Sequence, residues 1–222
     1  MRIESITVSG FRCFGPNEIA IPISDEVTTI VGPNAAGKTA LLQAMSKMFG
    51  VTRAQRTVSF SDFHLAPGED PESRDSKELY IEALIAFPEL LDGSATPETI
   101  APSFRHMLIT RAAQAPVCRM RLEAQWDDDG TLEGEVSQNL YWIDSLDKEP
   151  AEDKCQPVAV TDRGLIQLYY TPASRDAAGQ IRATAGTLAA RLLRAIEWSS
   201  ETEDKVQEAT ESLTAAFEGE SA

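Results

Sequence analysis

The sequence has little of what disulfide-bonded, zinc-binding and membrane proteins need. Its three cysteines, Cys13, Cys118 and Cys155, lie far apart and form no CxxC pair. This pattern excludes a disulfide scaffold and a cysteine-based zinc site, and it fits a reducing compartment. No uninterrupted apolar run of about 18 residues is present, and the N-terminus lacks the apolar core of a secretory signal. We therefore expect a cytoplasmic protein with no membrane contact.

Positive charge is also scarce. The 222 residues include 20 Lys and Arg against 35 Asp and Glu, so the net charge is −15. This charge argues against the chain acting alone as a nucleic-acid clamp, which needs a basic face. Apolar residues make up 42% and charged residues 25%, which is typical of a folded globular chain with enough length for a core.

Hydrophobic periodicity predicts an α/β chain. Two strands open it, and Pro22 places the second at a sheet edge because proline cannot donate a ladder hydrogen bond. The next predicted elements are a buried strand over 27–31 and a helix from Lys38 to about Phe49 that Gly50 caps. Residues 51–78 are predicted to be loop, and the stretch at 88–115 is ambiguous. The remaining predicted elements are a strand over 79–87, a hairpin of 119–126 with 132–143, a strand over 166–170 and a helical tail from about 188.

The strongest functional signal is GPNAAGKT, which matches the phosphate-binding loop pattern G-x-x-x-x-G-K-[ST]. Its residues are Gly32, Pro33, Asn34, Ala35, Ala36, Gly37, Lys38 and Thr39. Glycines let the backbone curl so that N–H groups point at phosphate oxygens, and the helix N-terminus adds partial positive charge. Lys38 is predicted to reach the β- and γ-phosphates and Thr39 to bind Mg²⁺, which makes them the predicted catalytic pair. The predicted nucleotide contacts continue to Ala40.

The loop variant resembles the GxNGxGK[ST] form of ABC-type ATPases, including their SMC and RecF-like branch. Ala35 stands where that form has glycine. The opening MRIESITVSGFRCF resembles the first strand of these proteins and its F-R-x-F element. The resemblance implies a P-loop NTPase of the ABC type, with a mixed sheet around the Walker A helix, an antiparallel β subdomain and C-terminal helices. It implies ATP and Mg²⁺ as ligands and Arg12 as a nucleotide contact, with a surface arginine as the alternative.

A narrower resemblance is to the OLD (overcoming lysogenisation defect) nucleases and AAA15-type ATPases. It depends on the early position of the loop, on Ser-Asp-Phe at 61–63 and on TPASRD at 171–176. It implies an ATP-dependent endonuclease in phage defence or DNA processing, whose ATPase lobes dimerise when ATP binds. Asp62 is a candidate for positioning Mg²⁺, with a cap or surface-turn role as the alternative. Weaker candidates are His64, Gln167 and Arg175.

Several motifs of such an enzyme are missing. No run of four apolar residues precedes Asp-Glu as in Walker B, no LSGG-like signature occurs, and no Toprim-like Glu with Asp-x-Asp is found. The three aspartates at 127–129 are interpreted as a hairpin turn. We therefore expect residues 1–176 to be the N-terminal half of an ATPase lobe, with an antiparallel β region at about 79–170. Residues 177–222 are expected to lead into a C-terminal half beyond residue 222.

Three functions stay open on these grounds. The first is the ATP-binding part of an OLD-like endonuclease that dimerises through its ATPase lobes or joins a C-terminal partner half. The second is a fragment of an SMC or RecF-like DNA-repair ATPase. The third is a regulatory module that binds nucleotide without hydrolysis. In each case the isolated chain is expected to be inactive and DNA to be contacted mainly by other parts. No element distinguishes ATP from GTP.

Overall fold

The computed structural model describes residues 1–70, 75–131 and 134–170, together with Lys205, Gln207 and Glu208. Its strands are β1 (Arg2–Ser9), β2 (Ile19–Pro22), β3 (Lys77–Ala86), β4 (Ile109–Arg111), β5 (Gln114–Asp127), β6 (Glu135–Ile143) and β7 (Cys155–Pro157). Its helices are α1 (Lys38–Phe49), α2 (Arg53–Arg56), α3 (Pro88–Leu91) and α4 (Pro102–His106). Single 3₁₀ turns lie at Phe60–Asp62, Pro97–Thr99, Glu152–Lys154 and Asp162–Gly164.

The described strands form one antiparallel sheet in the order β2-β1-β3-β5-β6-β7, with β4 pairing with β5. Alternation explains β3, where Leu79, Ile81, Ala83 and Ile85 are buried and the residues between them are partly exposed. The paired positions of β3 and β5 run from Lys77 opposite Trp126 to Ala86 opposite Val117. The prediction of an α/β chain with an antiparallel sheet is confirmed. Pro22 lies at the described edge of this sheet, as predicted.

Helix α1 follows the prediction closely. Its buried residues recur at helical spacing and join the core of the sheet. Gly50 ends the helix, and its N–H donates to the carbonyl of Ser46 at 2.8 Å. A Cβ at Gly50 would lie 2.5 Å from that carbonyl oxygen and 2.7 Å from Cβ of Gln55. Only glycine therefore fits this close approach between α1 and α2.

The predicted buried strand over 27–31 is wrong. This run has no strand structure, and the exposed fractions of Val27 and Val31 are 76% and 87%. β-Branched residues favour a strand only where a neighbour supplies hydrogen bonds and packing. No described strand pairs with this run. The predicted strand over 166–170 is likewise reduced to a single bridge between Leu168 and Gly50.

Two arginines on β5 are buried beside the core. Nε and an amino group of Arg119 donate to Glu82 on β3 at 2.9 and 3.0 Å, and Nε of Arg121 donates to the same carboxylate at 2.7 Å. Arg119 also donates to the carbonyls of Ser145 and Asp147, both at 2.6 Å. A single glutamate thus accepts hydrogen bonds from two buried arginines, and these in turn hold the loop after β6 against the sheet.

The chain divides into two units, Met1–Thr171 and Pro172–Ala222. The predicted helical tail and the predicted boundary at 176 fall almost wholly outside the described residues, so the domain assignment stays a prediction. No helix within the described ranges has the length and apolarity needed to cross a membrane.

Candidate nucleotide-binding site

The phosphate-binding loop departs from ordinary backbone geometry at two positions. Ala35 has φ 65° and Gly37 has φ 87°, both in the left-handed region that favours glycine. Gly37 is the residue before α1, and a Cβ there would lie 2.8 Å from Sγ of Cys13. The loop therefore turns tightly against the segment that follows β1. Glycine is needed at Gly37, directly before α1.

The start of α1 is suited to an anion. No side chain caps it, and its first turn contains no acidic residue. The first N–H groups of a helix lack partners within the helix, and they carry the positive end of its dipole. Lys38 adds a full charge, and its Nζ donates to the carbonyls of Gly32 at 2.8 Å and Pro33 at 2.6 Å. The ammonium group is thus held within the loop that the sequence predicts to bind phosphate.

A cavity of about 440 Å³ opens at this point. Its lining residues are Arg12, Cys13, Asn34, Ala35, Ala36, Gly37, Lys38, Thr39, Ala40 and Gln43. The volume falls within the range of roughly 300–1,000 Å³ that is typical of small-molecule sites. Most of the predicted nucleotide contacts therefore lie together, while Gly32 and Pro33 are placed beside the cavity through their bonds to Lys38.

Asp62 lies next to this cavity without lining it. Its side chain is 0% exposed, and it accepts hydrogen bonds from Arg12, Lys47 and Ser59. Burial alone would raise the pKa of Asp62, but the hydrogen bonds from Lys47, Ser59 and Arg12 outweigh it and leave the pKa lowered. Because protein donors occupy both carboxylate oxygens, this geometry does not fit the predicted role in positioning Mg²⁺.

The other candidates are dispersed. His64 does not line the cavity; its Nδ1 lies 2.6 Å from the carbonyl oxygen of Arg12 and fixes the turn after β1. Gln167 is exposed and donates to the carbonyl of Gly164, away from the cavity. Arg175 lies outside the described residues. The aspartates at 127–129 form the predicted turn, in which two carboxylates accept from the N–H groups of Gly130 and Thr131.

Sequence reasoning missed Gln43 and Lys47. Gln43 lines the cavity and accepts from Arg12, and Lys47 donates to Asp62 at 2.7 Å. A signal was present, because Thr39, Gln43 and Lys47 recur every four residues and so share one face of α1. That polar stripe points towards the loop and the Arg12 turn, whereas the apolar face of the helix meets the sheet.

The residues present fit a nucleotide better than a metal ion held by protein alone. Within the described ranges, no group of three or more His, Cys, Asp or Glu side chains is placed to hold a metal. The exposed Thr39 hydroxyl is a suitable single oxygen ligand, since Mg²⁺ usually takes one or two protein ligands with phosphate oxygens and water. ATP and Mg²⁺ together fit the cavity in this sense.

A family model matches the N-terminal part of the chain. Residues 1–93 match the family model described as "AAA ATPase domain". The chromosome partition protein Smc of Aquifex aeolicus (strain VF5) is 31% identical over 88 residues, which are 39% of this chain and 8% of that protein. The chain therefore spans a small fraction of the length of this relative. These matches support an ABC-like P-loop ATPase and do not point to the OLD endonucleases in particular.

Two solved structures show weaker likeness. One comes from work on ATP-driven dimerization and DNA-stimulated activation of SMC ATPases. It is 17% identical, with a TM-score of 0.42, and the match covers 87% of this chain and 97% of that one. The other is an SMC head bound to the C-terminal winged-helix domain of ScpA. It is 20% identical, with a TM-score of 0.39, and the match covers 75% of this chain and 40% of that one.

Proposed function

We propose that this chain binds ATP with Mg²⁺ in the cavity at the start of α1 and serves as the nucleotide-binding part of an ABC-like ATPase of the SMC type. One observation carries the proposal. The uncapped, acid-free N-terminus of α1 opens through Lys38 into a cavity of about 440 Å³ that Arg12 also lines. The match of residues 1–93 to an ATPase domain supports it.

The chain's own residues have separable tasks in this function. The N–H groups at the start of α1 bind the phosphates, and Lys38 exchanges its two loop carbonyls for phosphate oxygens. Arg12 adds a second cation at the cavity. The Thr39 hydroxyl would hold Mg²⁺, and the ion would neutralise phosphate charge.

Hydrolysis requires more than these residues supply. No carboxylate is among the residues that line the cavity in the described part of the chain. A group that activates the attacking water is needed for efficient phosphoryl transfer. We therefore propose that this chain binds nucleotide with little turnover by itself, and that a second lobe, from another copy or a partner, completes the active site when ATP is bound.

DNA is the proposed target of the complete assembly. The similarity to Smc over 88 residues favours an SMC or RecF-like ATPase that contacts DNA through other parts. An OLD-like endonuclease in phage defence is the second proposal, favoured by the segments at 61–63 and 171–176. Cleavage of plasmid DNA by the protein with Mg²⁺ or Mn²⁺ would select the nuclease, whereas ATP-dependent DNA retention without cleavage would select the SMC type.

The nucleotide site is tested by titrating the protein with ATP–Mg²⁺ in a calorimeter. Lys38→Ala is expected to weaken binding by about tenfold or more, because one charge-assisted contact to phosphate is lost. Lys148→Ala is the matched control, since this lysine also carries one charge but does not line the cavity, and its exposed ammonium group pairs with Glu18. Competition by GTP measures the base preference.

Two results would contradict the proposal. If the wild-type protein gave neither heat of binding nor an ATP-dependent rise in melting temperature, the assignment of the ATP site would be wrong. Robust turnover by the single chain, abolished by Lys38→Ala, would contradict the proposed need for a second lobe.

A further inference from the structure

The turn that carries Arg12 is held in an unfavourable conformation. Arg12 has φ 51°, in the left-handed region, which costs a non-glycine residue about 1–2 kcal/mol. Its N–H donates to the carbonyl of Asp62 at 2.8 Å, and its own carbonyl accepts from the His64 ring at 2.6 Å. Strain of this kind persists only where the surroundings impose it. Here Asp62 and His64 impose it by binding the N–H and the carbonyl of Arg12.

The same segment fixes the Arg12 side chain. Nε and one amino nitrogen donate to Oδ1 of Asp62 at 3.0 and 2.7 Å, and the other amino group donates to Gln43. The side chain is nevertheless 33% exposed and lines the cavity. The guanidinium is therefore held at the wall of the cavity before any ligand arrives, rather than being free on the surface.

Asp62 is itself locked in place. Its Oδ2 accepts from Nζ of Lys47 at 2.7 Å and from both N–H and Oγ of Ser59 at 3.0 Å. With a lowered pKa the side chain stays ionised at neutral pH. One buried carboxylate is thus shared by two cations from different elements, the turn after β1 and helix α1.

We propose that Asp62 is a positioning residue for nucleotide binding, which holds the Arg12 guanidinium in the geometry that meets the phosphates. This inference rests on the proposed ATP site. A carboxylate beside an anion site weakens anion binding by its charge alone. Its presence next to this cavity is explained if the gain from a fixed arginine exceeds that loss, because a preset side chain loses little conformational freedom on binding.

The two effects of Asp62 have opposite signs, which makes a sharp experiment. Asp62→Asn removes one negative charge near the cavity, so a purely electrostatic role predicts tighter ATP binding. A positioning role predicts weaker binding, by about tenfold, since a neutral amide with a single oxygen replaces the ionised acceptor of both Arg12 hydrogen bonds. ATP–Mg²⁺ affinity is measured by calorimetry at fixed salt. Lys47→Met is the matched control, because it disturbs the same buried cluster by removing one partner of Asp62 but leaves the pairing of Arg12 with Asp62.

A double variant separates positioning from general damage to the fold. In an Arg12→Ala background only the effect of the Asp62 charge remains, so Asp62→Asn is expected to tighten the residual ATP binding slightly, although it still lowers stability. A merely structural role would weaken binding in that background as well. Arg12→Lys serves where Asp62→Asn fails to fold. It keeps the charge but cannot form the paired hydrogen bonds, so it is expected to bind ATP about as weakly as Arg12→Ala.

Unchanged or tighter ATP binding by Asp62→Asn would overturn the inference, and so would full affinity in Arg12→Lys. Either result would leave the ATP site standing if the wild-type protein binds and Lys38→Ala does not. Failure of the wild-type protein to bind ATP would instead contradict the proposed function on which the inference depends.

Discussion

The phosphate-binding loop carries measurable strain at Ala35. Its φ of 65° lies where a non-glycine residue pays about 1–2 kcal/mol. Glycine has no such strain, but it lowers the free energy of unfolding by about 0.4–1 kcal/mol because it gives the unfolded chain more conformational entropy. The Ala35 side chain is exposed, so its methyl group contributes no buried contact. We therefore expect Ala35→Gly to raise the free energy of unfolding by roughly 0.5–1 kcal/mol.

Ala36 provides a matched control within the same loop. It is also exposed, but it is not among the residues with positive φ. Ala36→Gly therefore gains no relief and only frees the unfolded chain, which lowers the free energy of unfolding by about 0.4–1 kcal/mol. Two chemically identical substitutions at neighbouring positions should thus differ by about 1–2 kcal/mol in opposite directions.

Urea unfolding is a suitable assay, because Trp126 and Trp142 are buried and report on the sheet. The midpoints should shift while the denaturant dependence stays constant, since neither variant changes the surface exposed on unfolding. If Ala35→Gly were destabilised as much as Ala36→Gly, the left-handed conformation at Ala35 and the reasoning from it would be refuted.

Two further predictions follow from buried groups. Glu82→Gln leaves two buried arginines without their shared carboxylate, so we expect a loss of about 3–5 kcal/mol in unfolding free energy, whereas the half-exposed Glu123→Gln should cost less than about 1 kcal/mol. N-Ethylmaleimide should modify the exposed Cys13 far faster than Cys118, because burial raises the pKa of the Cys118 thiol to about 12. ATP–Mg²⁺ should slow the reaction at Cys13, because this thiol lines the cavity.

Equal stability of the Glu82 and Glu123 variants would mean that the shared carboxylate does not hold the buried arginines. Modification of Cys13 at the same rate with and without saturating ATP would place the nucleotide elsewhere than in the cavity that this thiol lines. Peptide mass mapping with Cys155 as an internal reference resolves the sites.

The parts of the site that could be predicted from sequence are local ones. The loop from Gly32 to Thr39 and the helix after it are specified by neighbours in the chain, through glycine spacing and helical periodicity. Alternation likewise predicted β3 and the hairpin of β5 and β6, and the structure confirms them. What these elements share is that their patterns arise within one run of residues.

The parts that could not be predicted depend on distant partners. The prediction that Asp62 positions Mg²⁺ rests on the family resemblance. Its donors Arg12 and Lys47 belong to other elements, so their pairing with Asp62 cannot be derived from the local sequence. The run at 27–31 has strand composition, yet a strand also needs a neighbour, which composition does not reveal. The arginines of β5 occupied the expected polar positions, but only the pairing with β3 shows that they are buried.

The run at 27–31, in which Val27 and Val31 are exposed, has a consequence for how the protein behaves in solution. It is short, β-branched and uncharged, and it contains no proline, which are the features of segments that pair between chains. The net charge of −15 keeps molecules apart at low ionic strength, and salt screens that repulsion. Concentrated solutions should therefore scatter more light as salt is added, and affinities are best measured on dilute protein in buffers of low ionic strength.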